Sequence, residues 1–208
     1  MKGPLFYSKI LLFGEYGIIQ DSKGLSIPYN FYNGALKKED HPSQDAIASN
    51  GHLKRFVTYL ESLQTEQPDL VQFDIATLQK DVNEGMYFDS SIPQGYGVGS
   101  SGALVAAIYD KYAQHKITVL ENLTREKLLE LKTIFSQMES FFHGKSSGLD
   151  PLNSYLSIPI LINSKDNIEA TGIPTQSFDG KGAVFLLDSF IVGETAPRVN
   201  IFMENLKD

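Results

Sequence analysis

The amino-acid sequence predicts an α+β fold, on three observations. Extended and helical segments are mixed without the strict β-α-β alternation of a doubly wound sheet. An apolar extended segment opens the chain at Phe6–Phe13, and the clearest helical signal, Thr124–Phe142, carries a single apolar stripe.

Taken in order, Phe6–Phe13 reads as a strand closed by Gly14, and Leu25–Tyr32 as a second extended piece interrupted by Pro28. Leu53, Phe56, Val57 and Leu60 fall at helical spacing, and a polar loop follows, ending at Pro68. Val71–Leu78 and Met86–Ile92 read as strands. A helix of small residues, Ser101–Gln114, follows a glycine-rich stretch. In the next helix Leu128, Leu131, Phe135, Met138 and Phe142 alternate steps of three and four, and Gly144 ends it. Short strands are expected at Ile158–Ile162 and Ala183–Leu187.

Composition narrows the function classes. The 208 residues, 42% hydrophobic and 21% charged, suit a globular chain with a proper core. No apolar run approaches the roughly 18 residues of a membrane helix, and Met1-Lys2-Gly3-Pro4 leads straight into a strand without a signal-peptide pattern. Zero cysteines exclude disulfides and thiolate metal sites and agree with a reducing cytoplasm. A net charge of -7 without a basic stripe argues against nucleic acid or anionic lipid as partners.

Pro93–Ala103, Pro-Gln-Gly-Tyr-Gly-Val-Gly-Ser-Ser-Gly-Ala, runs directly into a helix. Its glycines allow positive φ and close approach of backbone to a ligand. The helix N-terminus adds free N–H groups and the positive end of a dipole. Ser100 and Ser101 can cap that helix or reach a phosphate-bound cation. Gly97–Gly102 spells G-x-G-x-x-G, yet it lies mid-chain, and the region about 20 positions on, Leu120–Thr124, precedes a helix where a dinucleotide site needs an acidic residue at the end of a second strand. Protein-kinase and Walker signatures are also missing. A ligand-free cap remains the plain alternative.

Three polar residues stand out elsewhere. Glu139 lies about 60° from the centre of the helical stripe, so it is either a boundary residue reaching water or a carboxylate facing a cation. Asp150 follows Ser-Ser-Gly and precedes Pro151, which biases it to an extended conformation; it reads as a turn residue or as a proton acceptor. Lys9 shares a strand face with Leu11 and Phe13, and is either solvated or paired inward with Asp150 or a phosphate.

Three segments together resemble the GHMP kinases, their mevalonate kinase branch in particular: Lys9–Ile19, Pro93–Ala103, and His143-Gly-Lys-Ser-Ser-Gly-Leu-Asp-Pro151. The resemblance implies the family's ribosomal protein S5 domain 2-like fold and an ATP- and Mg²⁺-dependent kinase acting on mevalonate or a related small alcohol. Gly95, Gly97, Gly99, Ser100, Ser101, Gly102 and Ala103 would wrap the ATP phosphates. Ser101 and Glu139 would hold Mg²⁺, Asp150 would be the base, and Lys9 would assist the acceptor. Glu15, Tyr16, His143, Ser147 and Thr195 fall at positions near the acceptor. Tyr16 stands where mevalonate kinases carry His, and Gly102 where they carry Ala. Both point toward phosphomevalonate kinase as the alternative; a non-catalytic metabolite-binding relative is the second. The resemblance further implies a cytoplasmic protein with a homodimer as an open option. It also implies a nucleotide- and substrate-binding domain over residues 1–195, with 196–208 opening a second domain.

Overall fold

The computed structural model describes residues 4–118, 123–164, 166–172, 185–187, 192–193 and 195–206. A mixed sheet-and-helix architecture emerges. Strand β1 (Phe6–Phe13) runs antiparallel to the long strand β2 (Gly24–Lys37). The two ends of β2 take different partners: β3 (Tyr87–Ser90) pairs with Gly34–Lys37, and β4 (Ile160–Ser164) pairs with Gly24–Ser26. Strand β5 (Asn167–Ala170) extends the sheet beyond β4.

Pro28 does not interrupt β2. It lies opposite Lys9, whose own N–H turns away to bond the carbonyl of Val98 at 3.0 Å, so this pair requires no donor from proline. The irregularity falls next door instead. Tyr7 pairs with Asn33 and Ser8 with Tyr29, which leaves residues 30–32 bulged out of register.

Helix α1 (Gln44–Glu66) buries Leu53, Phe56, Val57 and Leu60, as their spacing requires, and Ser43 caps it by accepting from the Ala46 N–H. The strand expected at Val71–Leu78 is instead a loop followed by helix α2 (Ile75–Asn83). Asp74 decides this: its carboxylate accepts from the Thr77 N–H and hydroxyl, and Leu78 and Val82 bury at a helical step of four. Helix α3 (Ser100–Tyr112) is buried on every side from Gly102 to Tyr109, which makes it the central helix. Helix α4 (Arg125–His143) is capped by Thr124 and puts Leu128, Leu131, Phe135 and Met138 into the core.

Helix α5 (Leu149–Leu156) corrects a second expectation. Asp150 is helical rather than extended. Pro151 sits in the first turn, where a missing N–H costs nothing, and so it does not break the helix. Of the strand expected at Ala183–Leu187, residues 183–184 lie outside those described and 185–187 are not in a strand. Strand β5, not anticipated, is only four residues long. Helix α6 (Thr195–Asn205) closes the described chain. Among the described residues no helix is long and apolar enough to cross a membrane.

One core unites these elements. Leu60, Leu78, Val105, Ile108, Leu131, Phe135, Met138, Leu152, Ile160 and Ile168 have no solvent exposure, so every helix from α1 to α5 and both late strands contribute to it.

Candidate functional site

Four elements, β1, α3, α4 and α5, meet at the start of α3. The connection into that helix turns at Gly95, Gly97 and Gly99, all with φ between 70° and 82°, a region L side chains rarely adopt. Gly99 is the N-cap and supplies no side-chain cap bond, so the first amide donors of α3 are left for a ligand. The backbone bond from Lys9 to Val98 fastens this loop to β1.

On β1, Lys9 is buried, and its ammonium lies 3.0 Å from Asp150 Oδ1. Asp150 occupies the first turn of α5, at the favourable end of that helix dipole for a carboxylate. A methyl group on Gly99 would come within 3.7 Å of Asp150 Oδ2 and 3.1 Å of Lys9 Cγ. The ion pair therefore lies directly against the glycine loop.

A second pair forms beside it. The Ser101 hydroxyl donates to Glu139 Oε1 at 2.9 Å and lies 3.0 Å from His143 Nε2. Ser146 donates to Glu139 Oε2. Glu139 itself is 3% exposed. Burial and then the neighbouring Asp150 charge push its carboxyl up to about 7, while the Ser146 and Ser101 hydroxyls and Lys9 pull the other way. Two hydroxyls do not compensate a buried carboxylate as a cation would. Among the described residues no three His, Cys, Asp or Glu side chains gather to hold a metal by themselves. One carboxylate and one hydroxyl beside a glycine loop is instead the sparse, hard-oxygen set that suits Mg²⁺, which takes most of its ligands from phosphates and water. The residues present fit that ion.

The remaining expected positions divide. Ser101 rather than Ser100 reaches Glu139. Gly95 and Gly97 are exposed, and the Gly95 carbonyl accepts from the Gly193 N–H at 3.1 Å. Ala103 is fully buried with its N–H bonded to Gly99, so it packs the helix and does not face the loop. Ser147 accepts from the Leu149 N–H at 3.3 Å, within the turn that leads into α5. Tyr16 adopts φ 57°, rare for a bulky side chain, and stacks on Phe202 of α6 at 5.5 Å between ring centroids. No hydrogen bond or ion pair among the described residues joins Glu15 or Tyr16 to Lys9, Ser101, Glu139 or Asp150. Thr195 is the first residue of α6. Sequence reasoning missed Ser146, whose only signal was a hydroxyl in the Ser-Ser-Gly turn seven residues beyond Glu139.

Comparison with known proteins bears on this geometry. Residues 60–157 match the family described as GHMP kinases N terminal domain. No curated protein matches the chain. Among solved structures it is similar to mevalonate kinase from Methanococcus jannaschii, at 14% identity and a TM-score of 0.47 over 82% of this chain. It is similar to mevalonate kinase from methicillin-resistant Staphylococcus aureus MRSA252, at 20% identity and 0.44 over 84%. It is also similar to L. major mevalonate kinase in complex with R-mevalonate, at 17% identity and 0.43 over 85%. The chain spans 56% of the length of each of the three. The glycine loop, Ser101, Glu139 and Asp150 all fall inside the matched stretch, which covers a little under half of the chain.

Proposed function

We propose that the site transfers the γ-phosphoryl group of ATP to the hydroxyl of a small alcohol, with mevalonate as the acceptor. The observation that supports this best is the convergence of two pairs, Lys9–Asp150 and Ser101–Glu139, on one glycine loop. In this reading the loop amides and the α3 N-terminus bind the phosphates. Ser101 and Glu139 would hold Mg²⁺, which when bound offsets charge on the phosphate oxygens. Asp150 takes the acceptor's hydroxyl proton as the oxygen–phosphorus bond forms and the bond to the β-phosphate bridging oxygen breaks. Lys9 holds the Asp150 carboxylate in place and offers a positive charge to the acceptor oxygen. Most of the rate enhancement would come from positioning and electrostatics.

Mevalonate is proposed as acceptor on the His143–Pro151 segment, which resembles mevalonate kinases, carries Asp150 and brings His143 to Ser101. Tyr16, standing where mevalonate kinases carry His, makes phosphomevalonate the second acceptor to test. A coupled assay of ADP release with mevalonate, phosphomevalonate and homoserine decides among them. Asp150→Asn and Glu139→Gln should each abolish turnover; wild-type rates in either variant would overturn the assignment. Thermal stabilisation by ATP without product would instead identify a non-catalytic binding protein.

A further inference from the structure

Gly102 is the one glycine of the loop region whose backbone is ordinarily helical, and glycine is a poorer helix former than alanine there. Its conformation does not account for it, but its surroundings do. A methyl group at Gly102 would lie 2.7 Å from the Asp150 carbonyl carbon, 2.7 Å from the Pro151 nitrogen and 3.0 Å from Asp150 Cβ. Two of these three atoms belong to backbone, which cannot rotate aside. The start of α5 therefore touches the bare Cα of α3.

The far sides of α5 are fixed as well. Gly148, its N-cap, fits so closely against α4 that a methyl group would lie 2.1 Å from the Lys132 carbonyl oxygen. The Ser154 hydroxyl, one turn beyond Asp150, donates to the Tyr7 carbonyl at 2.7 Å, two residues from Lys9 on β1. Asn153 donates to the carbonyls of Ser26 and Ile158. Helix α5 is held between α3, α4 and the sheet.

We propose that Gly102 and Ser154 are positioning residues: together they set where α5 begins, and so hold Asp150 at contact distance from Lys9 and the glycine loop. The catalytic consequence rests on the reading of Asp150 as the base; the geometric one does not. Alanine at position 102 would require α5 to back away by about 0.7 Å, from 2.7 Å to the ordinary contact distance of 3.4 Å. The Lys9–Asp150 pair would open by a comparable amount from 3.0 Å.

A double-mutant cycle of Lys9→Met and Asp150→Asn, read by urea unfolding, measures that pair directly. Run in the Gly102→Ala and Ser154→Ala backgrounds, it should lose most of the coupling found in the wild-type background. Leu60→Ala, a destabilising change in α1 away from the site, should leave the coupling intact. Unchanged coupling in both test backgrounds overturns the proposal. Should Gly102→Ala not fold, the Ser154→Ala cycle, which adds no bulk, decides alone. If the protein turns over an alcohol, Gly102→Ala should lower kcat on the order of 10- to 100-fold, as misplacement by a fraction of an ångström does. The KM for ATP should stay within about twofold; a loss confined to KM counts against positioning. Reduced coupling with no turnover by the wild-type chain would leave the positioning role standing and remove the kinase reading.

Discussion

Glu139→Gln tests the electrostatics of the site without requiring a substrate. The folded chain holds the Glu139 carboxyl at about 7 against an ordinary 4.5, chiefly because it is buried. Between those values the folded protein binds more protons than the unfolded chain, so stability is complete below 4.5 and is lost as pH rises through 7. At 1.36 kcal/mol per pH unit the loss reaches about 3 kcal/mol by pH 8. Glutamine keeps the shape and removes the charge. It exchanges the Ser101 and Ser146 hydrogen bonds for weaker neutral ones, at about 1 kcal/mol. The variant should therefore exceed wild type by roughly 2 kcal/mol at pH 8 and fall slightly below it near pH 4. Urea unfolding followed by far-ultraviolet circular dichroism in the presence of a chelator measures both. Adding Mg²⁺ and a nucleotide should restore the wild-type protein preferentially, because a ligand of the folded state stabilises it by mass action. A glutamine variant less stable than wild type by the same margin at both pH values would refute the argument.

Three further outcomes follow from the fold. Phe135→Ala, at a site with no exposure and edge-on contacts to Tyr109 and Tyr155, should cost about 3–5 kcal/mol in urea unfolding. Thr124→Ala removes the bond to the Lys127 N–H that starts α4 and should cost about 1 kcal/mol. Asp81 feels burial, which opposes its charge, but hydrogen bonds from Lys111, Tyr112 and Lys38 outweigh it and hold the carboxyl well below the usual range. Its stabilisation is present above the unfolded value near 3.8 and lost as pH falls through the folded one. Asp81→Asn should therefore be destabilised at pH 7, with the gap to wild type closing in acid unfolding.

What the sequence disclosed follows from how local each signal is. The stripe of α4 and the Gly99–Ser101 entry to α3 are written in consecutive residues, so periodicity and glycine spacing expose them. Val71–Leu78 misled because its apolar residues suit either a strand or a helix end, and only the Asp74 cap separates the two. Asp150 was misplaced for a related reason. The restriction before proline is a bias against helix that tertiary contact overrides, here through the close approach of Gly102. Lys9, Ser101, Glu139 and Asp150 could each be singled out, but their pairing could not. Residues 141 positions apart, such as Lys9 and Asp150, meet only because the sheet and α5 fold together.

That pairing separates two carboxylates that would otherwise be equivalent. Both Glu139 and Asp150 lie near one glycine loop, and the Asp150 charge raises the cost of charge on Glu139. Lys9 is 3.0 Å from Asp150, so Asp150 has a counter-ion supplied by the chain. Among the described residues Glu139 has only the Ser101 and Ser146 hydroxyls within hydrogen-bond reach, which compensate its charge less well than a cation would. The same burial that makes Glu139 expensive at neutral pH makes it receptive to a cation arriving with an anionic ligand. In the proposed reaction the lysine holds the Asp150 carboxylate against the glycine loop, where it would take the acceptor's proton. On the proposed reading, one lysine, placed by the register of β1 on β2, gives the two acids different roles.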